Sequence, residues 1–263
     1  MSDSSVPSVP SWPTVTMATW AEFKSTLFAH LFDSKPVLRG RFVFRGQRDA
    51  TWSLSSSFDR SFPDVFGKER VELEKALLQQ FRIECEAEPL LRELTADETS
   101  LLALAQHHGV PTRLLDWSES PYVAAFFAFQ HAISAFHRTI GEIGLDKHVA
   151  IWALDTSHYI WHGDHGVQIV APPGWHNDRL RLQAGKFTRS KTPFKSLEEF
   201  VRQFSDGAGA LRLFLIPSND AVDAMADIDL MGITHSSLFP GGDGRARAAI
   251  SKIILQNIRR TAT

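Results

Sequence analysis

The chain is predicted to form a single mixed α+β domain. Three observations carry this: 263 residues that are 43% hydrophobic and 22% charged, apolar runs of strand length, and segments with apolar residues at helical spacing between them. That length and composition suffice for one large core. No repeat, coiled-coil heptad or second compositional regime divides the sequence.

Residues 1–13, "MSDSSVPSVPSWP", read as a loose arm, because Ser and Pro bury too little to offset the entropy of ordering. The domain is taken as 14–263. "TMATWAEFKSTLFAHLF" sets Trp20, Phe23, Leu27 and Leu31 on one helical face. "RFVFRG" alternates bulky and basic positions, as a strand does, and should turn at Gly46. From about 68 to 94, Leu73, Leu77, Phe81 and Cys85 recur every four residues, which predicts one long helix. "SLLALAQHH" is a further helix, and "SESPYVAAFFAFQHAISAFHR" another, opened by a capping serine with Pro121 in its first turn. "HVAIWAL" and "LRLFLI" are strands, and "RLRLQAGKF" is a strand with a bulge at Gly185. "SLEEFVRQF" has the Ser196 and Glu199 spacing of a capping box, and "NDAVDAMADIDLMG" is a helix stopped by Gly232.

The formal net charge of −2 excludes a global basic field of the nucleic-acid-binding kind. Cys85 is the single cysteine, which fits a reducing compartment, and no apolar run approaches the roughly 20 residues that span a bilayer. The start lacks the basic flank and apolar segment of a signal peptide. A cytoplasmic protein without a membrane partner is expected. Arg179, Arg181, Lys186, Arg189, Lys191 and Lys195 form the densest basic run, readable as a nucleic-acid grip or as a solvated edge strand.

Two islands concentrate polar chemistry. In "FRGQRDATWSLSSSFDR", Arg45 offers bidentate contact to a phosphate or carboxylate, or a buried partner for an acid. Gly46 permits close approach of a ligand, and Gln47, Arg48 and hydroxyls follow. In "HHGVPTRLLDW", His107 and His108 suit a helix cap, a general base or a metal. Asp116, His131 and His137 complete no standard zinc spacing with them, so no bound metal is expected. Arg113 and Asp116 are placed to pair with each other or with Arg45. Both islands are expected to meet in one cleft.

Phe44-Arg45-Gly46, the following Trp52 and Leu54, and "AQHHGVPTRLLDWSESPYVAAFFAF" together resemble the FRG domain, a bacterial family marked by that tripeptide and by a Gln-His-x-Gly, Thr-Arg-Leu-Leu-Asp-Trp block. The likeness is dense over about residues 40 to 130. The family layout is in turn similar to ADP-ribosyltransferases of the arginine, serine, glutamate type, which implies a split β-sheet core with surrounding helices and NAD as substrate. Arg45 and the Ser118 to Pro121 turn match two parts of that layout. No Glu-x-Glu or Gln-x-Glu follows, and Gln183 is the nearest candidate for the third.

The resemblance implies Asp116, Gln183 and Arg113 as catalytic residues. Arg45, Gly46, Gln47, His107, His108, Ser118 and the aromatic pair Trp117 and Tyr122 are implied as the NAD-binding set. It also implies a toxin-like or phage-defence effector, with RNA, DNA or protein as acceptor and an antitoxin or chaperone among its candidate partners. Two alternatives stand beside it: a non-catalytic module that binds phosphate or nucleic acid, and a metal-dependent hydrolase or nuclease using His107, His108 and Asp116.

Overall fold

A computed structural model describes residues 12–32, 40–94, 97–138, 147–171 and 182–261. Its strands are β1 (Thr14–Thr16), β2 (Phe42–Gln47), β3 (Leu114–Ser118), β4 (His148–Asp155), β5 (Val167–Val170), β6 (Gly185–Ser190) and β7 (Leu211–Pro217). They form one sheet in the order β1-β7-β4-β2-β3-β6-β5, with β1 parallel to β7 and the other neighbours antiparallel. The helices are α1 (Trp20–Leu31), α2 (Ser57–Ser61), α3 (Gly67–Cys85), α4 (Pro89–Leu94), α5 (Glu98–His107), α6 (Pro121–Arg138), α7 (Leu197–Val201), α8 (Ala221–Leu230), α9 (His235–Leu238) and α10 (Gly242–Thr261). A mixed sheet with surrounding helices is the α+β class that the sequence predicts. Among the described residues no helix is long and apolar enough to cross a membrane.

β4 is apolar on both sides, as a strand covered on both faces must be. Val149, Ile151 and Ala153 join Phe42, Phe44 and Phe214 in a core under α1, α6 and α8. Ala150, Trp152 and Leu154 join Val43, Leu115, Trp117 and Phe200 in the core of the opposite face. α1 buries the predicted stripe of Trp20, Phe23, Leu27 and Leu31, and Thr19 caps it by accepting from the Glu22 N–H at 3.1 Å.

Gly46 sits inside β2 and not at a turn, since pairing with β4 continues through Gln47↔Ala150. A Cβ at this position would lie 1.9 Å from the Ala124 carbonyl oxygen, so α6 rests its backbone directly on the strand. Ala124, Ala125 and Ala128 are buried for the same reason. The expected turn at Gly46 is thus corrected to a strand position that admits a helix.

The predicted helix over 68–94 is two helices. Pro89 lacks the N–H that would continue α3 and takes the first position of α4, after a turn at 86–88. Cys85 of the expected stripe is buried, but the rest of the buried face carries Arg70, Glu74 and Leu78, one position off that stripe, while Leu73, Leu77 and Phe81 are half-buried.

β6 begins at Gly185, preceded by Ala184 at φ 46°, where a bulged strand was expected to run through. Residues 179–181 of that expectation lie outside the described residues. β6 also lies between β3 and β5 and is not an edge. The expected arm is docked at its end: Trp12 packs edge-on against Trp152 with 6.2 Å between ring centroids, and the Pro13 carbonyl accepts from the Leu213 N–H at 3.0 Å. Residues 1–11 lie outside the described residues.

Candidate functional site: a cavity between β2 and β3

Phe44↔Ser118 is the single residue pair that joins β2 to β3. Beyond it the ladder lapses, although β2 remains fully paired to β4 and β3 to β6. A cavity of about 820 Å³ occupies this opening, within the roughly 300–1,000 Å³ usual for small-molecule sites. Phe44, Arg45, Gly46, Gln47 and Arg48 border it from β2 and its exit, and Asp116, Trp117 and Ser118 from β3. α5 adds Ala103, Gln106 and His107, and α6 adds Ala124, Phe127 and Gln130. The segment after β2 supplies Thr51, Trp52, Ser53, Ser55 and Arg60, with Gln183 and Phe187 from the start of β6.

Arg45 spans the opening. Its guanidinium donates to the Asp116 carbonyl oxygen at 2.8 Å and lies 3.5 Å from the Asp116 carboxylate. Burial and the nearby Arg60 pull its pKa down, and Asp116 counters them. Arg45 Nε is buried without a hydrogen-bond partner, as are the Nε atoms of the interior Arg70 and Arg113. Asp116 is the more open of the two, with 63% of its side chain exposed against 19% for Arg45.

The helix-to-strand block exists to hold that carboxylate. Gln106 Nε2, on the last turn of α5, donates to Asp116 Oδ1 at 2.6 Å, and the Thr112 hydroxyl donates to Gln106 Oε1. Thr112 is itself fixed by the Ser57 hydroxyl, which accepts its N–H at 3.1 Å. Gln106, Thr112 and Asp116 therefore act as a chain whose last member reaches the cavity.

The structure brings Arg45, Gly46, Gln47, His107, Asp116, Trp117, Ser118 and Gln183 to this cavity, and leaves Arg113, His108 and Tyr122 away from its wall. Arg113 is buried, donates to the Thr192 carbonyl and lies 3.7 Å from Glu74, while Arg70 donates to the same carbonyl and pairs with Asp59. Burial and Arg70 lower the Arg113 pKa, and Glu74 opposes them. The implied catalytic Arg113 is thus a member of an interior ion-pair network. Tyr122 packs edge-on against Trp20, and His108 follows the end of α5 beside Phe81, with its N–H bonded to Leu104.

Four of the lining residues already hold side-chain hydrogen bonds. Gln47 accepts from Trp152 Nε1 at 2.8 Å and donates to the Ser53 carbonyl at 3.0 Å, and the Trp117 indole is buried and donates to Thr188 Oγ1. Ser118 Oγ donates to the Gln183 carbonyl at 2.7 Å, and Gln183 Nε2 donates to the Leu238 carbonyl at 3.2 Å. These bonds tie β3 to the turn before β6 and to α9.

Arg48 and Trp52, named in the sequence but not among its implied site residues, join the cavity wall, and Arg60 enlarges the site beyond the residues named there. All three fall in the first polar island, and its density of arginine was the available signal. The lining residues include three arginines, Arg45, Arg48 and Arg60, and a single carboxylate, that of Asp116. Among the described residues no group of three or more His, Cys, Asp or Glu is arranged to hold a metal ion. The side chains of His131 and His137 lie outside that description.

Both walls of the cavity, from β2 to α6, fall within one matched segment. Residues 40–135 match the FRG domain. The FRG segment contains Arg45, Arg48, Trp52, Arg60, Gln106 and Asp116, while Gln183 and Phe187 come from outside it. No curated protein and no solved structure matches the chain.

Proposed function

We propose that this cavity binds NAD as substrate and that the protein is an ADP-ribosyltransferase-like effector, of the toxin or phage-defence type, acting on a nucleic-acid or protein acceptor. The observation that carries the reading is the convergence of Arg45, Arg48 and Arg60 on one cavity beside the open carboxylate of Asp116. A pyrophosphate is matched by clustered guanidinium groups, which bind it in bidentate fashion.

In this reading the bond between the ribose C1′ and the nicotinamide nitrogen breaks. Its electron pair neutralises the pyridinium, and positive charge develops at C1′. The Asp116 carboxylate, held in place by Gln106, stabilises that charge electrostatically. An acceptor nucleophile then bonds to C1′ and releases its proton. Gln183, anchored on Leu238, orients the ribose in this reading.

Asp116 already engages Arg45 and Gln106, which favours as second reading a module that binds a phosphorylated ligand without turnover. Nicotinamide release separates the two. Purified protein incubated with labelled NAD and separate pools of RNA, DNA and protein is expected to transfer label to one pool. Asp116→Asn is expected to lower that transfer at least a hundredfold, the scale of a lost transition-state electrostatic contact, with melting unchanged. Binding with neither label transfer nor nicotinamide release overturns the transferase.

A further inference from the structure

Trp52 is 45% exposed although it lines the cavity, and Arg48 lies over its ring at 4.6 Å from the centroid. An indole left open in this way inside a cavity offers a flat apolar surface to a planar partner. Its backbone is set by the tight turn that Asp49 builds: the Thr51 N–H and hydroxyl both donate to Asp49 Oδ1, at 2.9 and 2.6 Å, and the Trp52 N–H donates to the Asp49 carbonyl at 3.2 Å. The side chain is therefore presented from a fixed loop, with a guanidinium already stacked against it.

We infer that Trp52 is a stacking platform for the base of a nucleotide whose diphosphate lies along Arg48, Arg45 and Arg60. This deepens the NAD reading and rests on it for the reaction, but not for binding. Even with Arg48 in place nearly half of the residue is exposed, so a base has surface to cover, and Arg48 stands between ring and phosphate, where one cation serves both. The platform lies on the segment after β2, whereas Asp116 lies on β3 against Arg45. A dinucleotide thus binds with one defined polarity, base at Trp52 and reacting end at Asp116. Stacking tolerates any base, so the class of ligand is a nucleoside diphosphate and its derivatives rather than a particular nucleobase.

The test is calorimetric titration with ADP and with inorganic pyrophosphate. ADP is expected to bind about tenfold or more tightly than pyrophosphate, in the range that one stacked base contributes. Trp52→Ala is expected to erase that preference with pyrophosphate binding unchanged, and Trp52→Phe to restore most of it. Equal affinities for the two ligands in the wild-type protein, or equal loss of both in Trp52→Ala with an unaltered melting curve, overturn the platform. NAD-dependent transfer accompanied by equal affinities keeps the transferase and removes the platform. A Trp52-dependent preference for ADP without transfer keeps the platform and removes the transferase.

Discussion

Arg45 and Arg113 lie on neighbouring strands or at their ends, and their guanidinium groups differ in what they are left to do. Arg113 has its charge closed off by Glu74 and the Thr192 carbonyl in the interior, so Arg113→Ala strands an acid there. It is expected to cost about 3–5 kcal/mol in chemical denaturation. Arg45→Ala removes one hydrogen bond and a partly exposed pair, and is expected to cost only about 1–2 kcal/mol while abolishing pyrophosphate binding. A larger loss for Arg45 than for Arg113 would reverse the assignment. Ala184 supplies a further test, because its left-handed backbone strains an alanine by about 1–2 kcal/mol, against about 0.4–1 kcal/mol of unfolded-state entropy that a glycine adds. Ala184→Gly should raise the melting temperature. Asp116 could be singled out from the polar island around it, but Arg113, only three positions away, could not be told from a ligand-binding arginine. Its partners sit on α3 and beyond β6, and local sequence holds no trace of them.

At the scale of elements, α3 shows where pattern reading stops. Its apolar spacing was visible, yet the helix turns Arg70 and Glu74 inward because Asp59 and Arg113 await them there. α1, whose partners are all apolar, was legible to the residue. α7 offers a measurable consequence of a buried acid. Glu198, in its first turn, receives the Leu54 N–H on both carboxylate oxygens, at 2.8 and 3.0 Å. Burial nevertheless pushes its pKa up, and that of Glu74 as well. A carboxyl with a folded-state pKa above its unfolded value holds more protons when folded, so stability declines as pH rises from the usual carboxylate range through the raised value. Thermal melts across that range should show the decline in the wild-type protein, and Glu198→Gln should flatten it. An unchanged slope would remove Glu198 as the source.

For the molecule as a whole, a net charge of −2 surrounds a cavity where three arginines meet one aspartate. Attraction for a diphosphate is therefore local, and ADP binding should weaken as salt shortens the screening length from about 10 Å at 0.1 M toward about 3 Å at 1 M. Salt-independent affinity would place the ligand elsewhere. The α+β class followed from alternation and periodicity, but the meeting of two islands nearly 70 residues apart required the strand order, which no local pattern encodes. That order also leaves Phe44↔Ser118 as the lone rung between two blocks, β1-β7-β4-β2 and β3-β6-β5. On one side Val43, Leu115, Trp117 and Trp152 share a core across the seam, so the blocks meet there like covers on a spine. Each block is expected to open as a foldon, with amide-exchange protection of its own. An occupant that grips Arg45 and Asp116 together binds the volume shut and should bring the two exchange rates toward one value.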